Sequence, residues 1–364
     1  MKSGPFLRGF LPGVVIGVFS SVLLFSLWRD PLFTSQGSTQ ILVPLRIGVD
    51  LRQNEKERRD VQGQFDHLTG TLPDTCNTTF LQNRPVERSC LLLVLIHSSA
   101  GAVELRSTVR VTWLKDHRHQ QRYVARFVIG TAGLDTKTLG KLACENREYG
   151  DLLLVSDIDD EDREDWPSSE KLLKSFVWAI QNVDFFYILK CNDATFVILE
   201  RILKGLENRH STSDYLWGYF AGGIQATKEG RFAEKNWFLC SHYLPFPQGG
   251  GYVISRDLVE MLTIMEHDLE HYDHDDIALG VWLSPFDGIQ KRHDVRFNTG
   301  YYSRGCNNAY IVTHRETKES MLQKFSMFQR MGFICEEEFQ SRLSYVYNWT
   351  APASKCCVRK PGIP

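Results

Sequence analysis

FFYILKCNDAT, residues 185–195, is an apolar run that stops at a polar cluster, Cys191-Asn192-Asp193-Ala194-Thr195. From Phe185 to Lys190 there is no polar alternation before the last residue, as expected of a strand covered on both faces. Working outward, the same reading applies to Leu91-Leu92-Leu93-Val94-Leu95-Ile96-His97, to Tyr123 to Gly130 and to Asp151 to Val155. Segments of helical length separate these runs, about Ala102 to Leu114, Leu134 to Glu148 and Ser168 to Asn182. Alternating strands and helices build βαβ units, so the fold class is α/β with a central, mostly parallel, doubly wound sheet. Ligands of such sheets bind outside the carboxyl ends of the strands, which makes Asn192-Asp193-Ala194 the place to look for chemistry.

The 364 residues, 43% hydrophobic and 24% charged, suffice for one large domain with accessory segments. A net charge of −2 gives no basic field to neutralise a phosphate backbone, so nucleic acid is not expected as a partner. Near the N-terminus, Phe10 to Trp28 (FLPGVVIGVFSSVLLFSLW) is uncharged and mostly apolar, long enough to cross a bilayer core as a helix. Lys2 and Arg8 precede it, and the positive-inside bias places the short N-terminus in the cytosol, a type II topology. The alternative is a cleaved signal peptide, whose apolar region is usually shorter, and no small-residue cleavage site follows Ser26. The expected organisation is a cytoplasmic tail at 1–9, a transmembrane anchor at 10–28, a polar lumenal stem at 29–89 and one domain at 90–364.

All nine cysteines follow the apolar segment, where an oxidising lumen permits disulfides, and the odd number leaves at least one free or paired between chains. Neighbours rarely bridge each other, so Cys356 and Cys357 are expected to pair with other cysteines. Asn77-Thr78-Thr79 and Asn348-Trp349-Thr350 are glycosylation sequons.

Several residues have types suited to sugar transfer. A carboxylate at a strand end, Asp193 beside Asn192, suits a divalent ion bridging diphosphate oxygens, although a lone Asp there equally reads as a turn or cap. Asp275-Asp276 suits proton abstraction, or equally the first turn of a helix, where the macrodipole favours carboxylates. Arg106 and Arg110 stand four apart on one helical face and can offer guanidinium forks, or form salt bridges at a surface. Gly249, Gly250 and Gly251 let backbone approach a ligand closely, or make a turn. His314 can ligate a metal as neutral imidazole, or be structural.

The order of these motifs narrows the choice. Arg106-Ser107-Thr108-Val109-Arg110-Val111-Thr112-Trp113, Lys190-Cys191-Asn192-Asp193-Ala194-Thr195-Phe196, Trp217-Gly218-Tyr219, Tyr243-Leu244-Pro245, Gly249-Gly250-Gly251-Tyr252 and Asp275-Asp276-Ile277-Ala278-Leu279-Gly280 occur in sequence. With the tail motifs Tyr302-Ser303-Arg304-Gly305-Cys306 and Arg342-Leu343-Ser344-Tyr345-Val346-Tyr347, this series resembles the β-1,3-galactosyltransferase family, glycosyltransferase family 31, over roughly residues 90 to 364. The tail is most similar to the branch that adds galactose within the proteoglycan linkage region.

The resemblance implies a GT-A fold in the Golgi membrane, UDP-galactose as donor, a galactosyl-xylosyl proteoglycan acceptor, and manganese. It implies Asp276 as general base, with Arg106, Arg110, Asn192, Asp193 and the three glycines at the donor, and Asp193 with His314 at the metal. Ala194 departs from the family, standing where the main metal-ligating carboxylate is expected. Three readings follow: a weakened metal requirement, leaving-group charge met by arginine or another cation, or a protein that keeps the fold without the chemistry. Transfer from a different donor, such as UDP-N-acetylglucosamine, is a further alternative.

Overall fold

Leu92, Leu93, Val94, Leu95 and Ile96 are sealed completely from solvent in β1 (Cys90–His97), which explains why this stretch carries no polar alternation. Each such side chain contributes roughly 1.5–3 kcal/mol of burial. The structure is a computed structural model describing residues 76–84, 86, 88–115, 121–160, 168–230 and 232–364. The 1–9 tail, the 10–28 span and the stem to residue 75 lie outside the described residues. Among the described residues no helix is long and apolar enough to cross a membrane.

The chain runs from β1 through α1 (Val103–Val111), β2 (Tyr123–Gly130), α2 (Thr136–Tyr149), β3 (Leu152–Val155) and α3 (Ser169–Asn182) to β4 (Phe185–Asn192). β1 pairs in parallel with β2 and β4, and β2 pairs in parallel with β3. The helix ends follow local chemistry. Asp135 caps α2 by accepting from the Thr138 backbone N–H, and Gly150 ends it in the left-handed conformation at φ 63°. Ser168 caps α3 by accepting from the Lys171 backbone N–H.

Beyond β4 come β5 (Thr195–Val197), α4 (Leu199–Glu207), β6 (Tyr215–Ala221), β7 (Phe246–Ser255), α5 (Arg256–Ile264), α6 (Asp275–Leu283) and β8 (Gln290–His293). Here the strand direction reverses. β7 pairs antiparallel with both β4 and β6, while β6 and β8 are parallel, giving a seven-stranded sheet of order β3-β2-β1-β4-β7-β6-β8. The sheet is therefore mixed and mostly parallel. β7 escaped the sequence reading because Pro247 and Gly249 to Gly251 interrupt any apolar run.

The remaining elements are β9 (Phe297–Asn298), β10 (Gly305–Cys306), β11 (Val312–His314), α7 (Lys318–Met331) and β12 (Phe339–Gln340). β5, β11 and β9 form a small second sheet. Its register sets His314 opposite Thr195, while the main sheet sets Cys191 opposite Gly251 and His97 opposite Asn192. Two pairings thus bring the 192–195 turn, the glycine strand and His314 together.

Part of the segment expected as a polar stem packs on the domain. Cys76 is disulfide-bonded to Cys144, Asn146 Nδ2 donates to the Phe80 and Gln82 carbonyls, and Arg84 donates to the Asn146 carbonyl. Residues 76–84 are therefore packed on α2. The other disulfides are Cys306–Cys335 and the adjacent pair Cys356–Cys357, contrary to the expectation that neighbours pair elsewhere. Both sequon asparagines, Asn77 and Asn348, are exposed.

Candidate active site

The antiparallel β4–β7 pairing carries Gly249 past Lys190, and the N-terminus of α6 packs against the same strand. Asp276, its second residue, is nearly buried, at 8% exposure. Its Oδ2 accepts from the Gly249 backbone N–H at 2.9 Å and its Oδ1 from the Ile277 backbone N–H at 2.8 Å. Burial raises its pKa to about 6, assisted by the Asp275 charge and opposed by His274, the Gly249 N–H and Lys190. A carboxyl so placed is a proton acceptor suited to near-neutral pH, held in one orientation.

Asp275 lines the same cavity and is held by a cation. Its Oδ2 lies 2.6 Å from the Lys190 ammonium, both side chains buried. Lys190 Nζ also donates to Asn192 Oδ1 at 3.2 Å and to the Gly249 carbonyl at 3.0 Å. This ammonium neutralises one of the two adjacent carboxylates and ties the 190–192 turn to β7. Sequence reasoning treated Lys190 only as the end of a strand. The available signal was a cation inside an otherwise apolar strand.

A cavity of about 290 Å³ opens over this floor. Asn192, Gly249, Gly250, Asp276 and His314 all line it, as do the unforeseen His274, Phe232, Tyr301 and Tyr302. The glycines are neither a flexible turn nor a bare ligand cradle. A Cβ on Gly249 would come 3.2 Å from Asp275 Oδ1 and 3.3 Å from Asp276 Oδ2, and one on Gly250 would come 2.6 Å from His314 Cγ. They are strand residues whose missing side chains admit the two acids and the histidine, and Gly251 lies beyond the lining, against Val312.

Thr195 Oγ1 donates to the Gly250 carbonyl at 2.8 Å, so it accepts from His314 Nδ1 at 3.1 Å. That leaves Nε2 as the unprotonated nitrogen. Burial, with the Lys190 and Arg315 charges, lowers the His314 pKa to about 3, so the ring is neutral.

The two arginines are placed differently from the expectation. Arg106 is fully buried; its Nε and one Nη hold Glu145 at 2.8 and 2.7 Å, and the other Nη donates to Ser98 Oγ and the Ser99 carbonyl. Arg110 binds Asp151 through two nitrogens at 2.8 Å and shares Glu145. Because Asp151 directly precedes the edge strand β3, Arg110 is held at that edge of the sheet, away from the cavity. Neither arginine offers a free fork to a nucleotide, and neither lines the cavity.

The metal pair is also divided. Asp193 donates its backbone N–H to the His97 carbonyl at 3.0 Å, and its carboxyl hydrogen-bonds the Ser98 side chain, near Arg106 and Lys171. Burial raises its pKa against those partners. His314 lines the cavity and Asp193 does not. Among the described residues no group of three or more His, Cys, Asp or Glu could hold a metal ion. Ala194 supplies no ligand, Asn192 and Asp275 are engaged by Lys190, and Asp276 accepts from two backbone N–H groups. One nitrogen without a free carboxylate beside it does not fit a manganese cage.

The family described as Galactosyltransferase matches residues 104–294. The chain is similar to Beta-1,3-galactosyltransferase 6 of Mus musculus, at 42% identity over 277 residues covering 75% of this chain and 84% of the relative. It is similar to N-acetyllactosaminide beta-1,3-N-acetylglucosaminyltransferase 4 of Homo sapiens, at 30% identity over 68% of each chain. UDP-GalNAc:beta-1,3-N-acetylgalactosaminyltransferase 2 of Xenopus laevis is 25% identical over 52% of this chain and 38% of its own length. The names of the three relatives share a β-1,3 linkage and differ in the sugar moved.

Proposed function

Because the chain belongs to the galactosyltransferase family, we propose that it transfers galactose from UDP-galactose to the 3-hydroxyl of a galactose, with inversion at the anomeric carbon. The observation that carries this reading is the Asp276 carboxyl, oriented by the Gly249 and Ile277 backbone N–H groups, with its pKa raised to about 6 at a cavity wall. The mouse relative, at 42% identity, favours galactose over the N-acetylhexosamines of the more distant ones.

In the proposed reaction Asp276 takes the proton of the acceptor hydroxyl as its oxygen attacks the anomeric carbon. The bond from that carbon to the diphosphate breaks and UDP leaves. Gly249 and Gly250, free of Cβ atoms, keep the approach to Asp276 and His314 open. Asn192, held by Lys190, supplies an amide dipole on the leaving-group side.

The acceptor proposed is the galactosyl-xylosyl unit of a proteoglycan, from the similarity of the tail at Tyr302 to Cys306 and Arg342 to Tyr347. The GT-A fold, the Golgi membrane location with type II topology, and glycans at Asn77 and Asn348 belong to the same proposal. The test is UDP release by the purified lumenal segment with UDP-galactose and a galactosyl-β-1,4-xyloside. Acceptor-dependent release that disappears in Asp276→Asn supports the reading, and release from UDP-N-acetylglucosamine instead replaces the donor. Folded protein that releases UDP from neither donor returns the reading of a partner subunit without chemistry.

A further inference from the structure

The connection from β6 to β7 sends one buried acid across to the helix that carries Asp276. Glu234, 2% exposed, accepts from the Asp273 backbone N–H through Oε2 and from the His274 backbone N–H through Oε1, each at 2.8 Å. The same Oε1 lies 2.8 Å from His274 Nδ1. His274 is the residue at which α6 begins, and it makes no side-chain cap bond of its own. A carboxylate at Nδ1 fixes that nitrogen as the donor and sets the plane of the ring. The rest of the ring forms part of the cavity wall, two residues from Asp276.

The surroundings of His274 define what that wall can take. Its ring centroid is 6.4 Å from that of Phe232, Phe232 is 5.8 Å from Tyr301, and Tyr301 is 4.8 Å from Tyr302. Tyr302 is 60% exposed, at the open side of this aromatic series. Glu234, Asp275 and Asp276 put three carboxyl groups behind or beside the ring, a poor environment for a diphosphate. A neutral sugar suits it: the C–H face lies on aromatic rings, and hydroxyls need a donor or acceptor with a fixed direction.

We propose that Glu234 and His274 form a carboxylate–imidazole pair that binds the acceptor sugar and orients its attacking hydroxyl toward Asp276. The proposal rests on the galactosyl-transfer reading for the identity of the acceptor. His274 touches the sugar, and Glu234 acts through His274 as a positioning residue.

The experiment is calorimetric titration of the lumenal segment with galactosyl-β-1,4-xyloside in the presence of UDP, alongside steady-state kinetics, for wild type, His274→Ala, His274→Asn and Glu234→Gln. Loss of one directed hydrogen bond weakens acceptor binding about tenfold in both His274 variants. KM for UDP-galactose stays within about twofold; thermal midpoints of the His274 variants fall, because Glu234 loses a buried partner, and binding is titrated well below them. The double variant Glu234→Gln/His274→Ala binds acceptor no more weakly than His274→Ala alone, because the two residues act as one unit. Unchanged acceptor binding in both His274 variants, additive losses, or equal loss of donor and acceptor overturns the pair. Wild type that binds the disaccharide yet never turns over defeats the transfer reading instead, with the His274 variants still judged by binding. Wild type that does not bind the disaccharide overturns the pair.

Discussion

Lys190 Nζ lies 2.6 Å from Asp275 Oδ2, and neither side chain reaches solvent. Removing one partner of such a pair leaves an uncompensated buried charge, which costs about 3–5 kcal/mol. Lys190→Met is therefore expected to lower unfolding stability by that order, measured from urea midpoints of the purified protein. Lys190→Met/Asp275→Asn recovers part of the loss, since the carboxylate charge is gone. A double variant as unstable as the single one shows that the lysine's bonds to Asn192 and Gly249 carry the effect instead.

The acid limb of the pH–rate profile tests Asp276. A base must be ionised to accept a proton, and burial has raised this carboxyl to about 6. The kcat/KM for transfer should fall about tenfold per unit below pH 6 and flatten above pH 7. Linkage has a definite sign here. A raised folded value contributes stability that is full below the unfolded carboxyl's value of about 3.9 and is lost as pH rises through about 6. Asp276→Asn should remove the limb and reduce turnover by roughly 10²–10⁴. A limb centred near 4 refutes the assignment.

How much of this was legible follows from the range of each signal. Buried parallel strands announce themselves locally, so β1 to β4 and the helical segment that starts at Ser168 could be read from residues a few positions apart. The cavity's Asn192, Gly249, Gly250, Asp276 and His314 were nameable through the order of motifs: Asn192, Asp276 and His314 sit at element ends, and the glycine run stands out inside β7. Side-chain partners far apart in the chain were not. Nothing near Arg110 reports that Asp151 will claim it, nothing near Asp193 reports Ser98 and Lys171, and Glu234 meets His274 only after the β6–β7 connection folds across. The Arg106–Arg110 spacing was read correctly as helical, yet both guanidinium groups turn to the acids Glu145 and Asp151 and not to the cavity.

Gly250 offers a steric test. A Cβ there would lie 2.5 Å from the Thr299 carbonyl oxygen and 2.6 Å from His314 Cγ, and a backbone oxygen cannot swing aside. Gly250→Ala should cost about 1–3 kcal/mol of stability and displace the His314 ring. Thermal melting reads the first effect, and the ring resonances of His314 in a proton–nitrogen correlation spectrum read the second. Gly101→Ala, where no atom lies within 4 Å of the new Cβ, is the control.

Position 194 decides whether a metal cage can be rebuilt. Ala194 sits between β4 and β5, its carbonyl accepting from the Glu316 backbone N–H, one residue before the Thr195 that holds His314. A carboxylate added at this position would stand near the one neutral imidazole nitrogen without a proton, and an oxygen ligand is what a hard cation lacks here. Ala194→Asp is expected to raise manganese affinity about tenfold or more, followed by the paramagnetic resonance of free manganese with UDP present. The gain should vanish in Ala194→Asp/His314→Ala, because the two ligands would act on the same ion. Persistence of the gain without His314 places the ion elsewhere, and no gain at all means that the 194 side chain points away from the cavity.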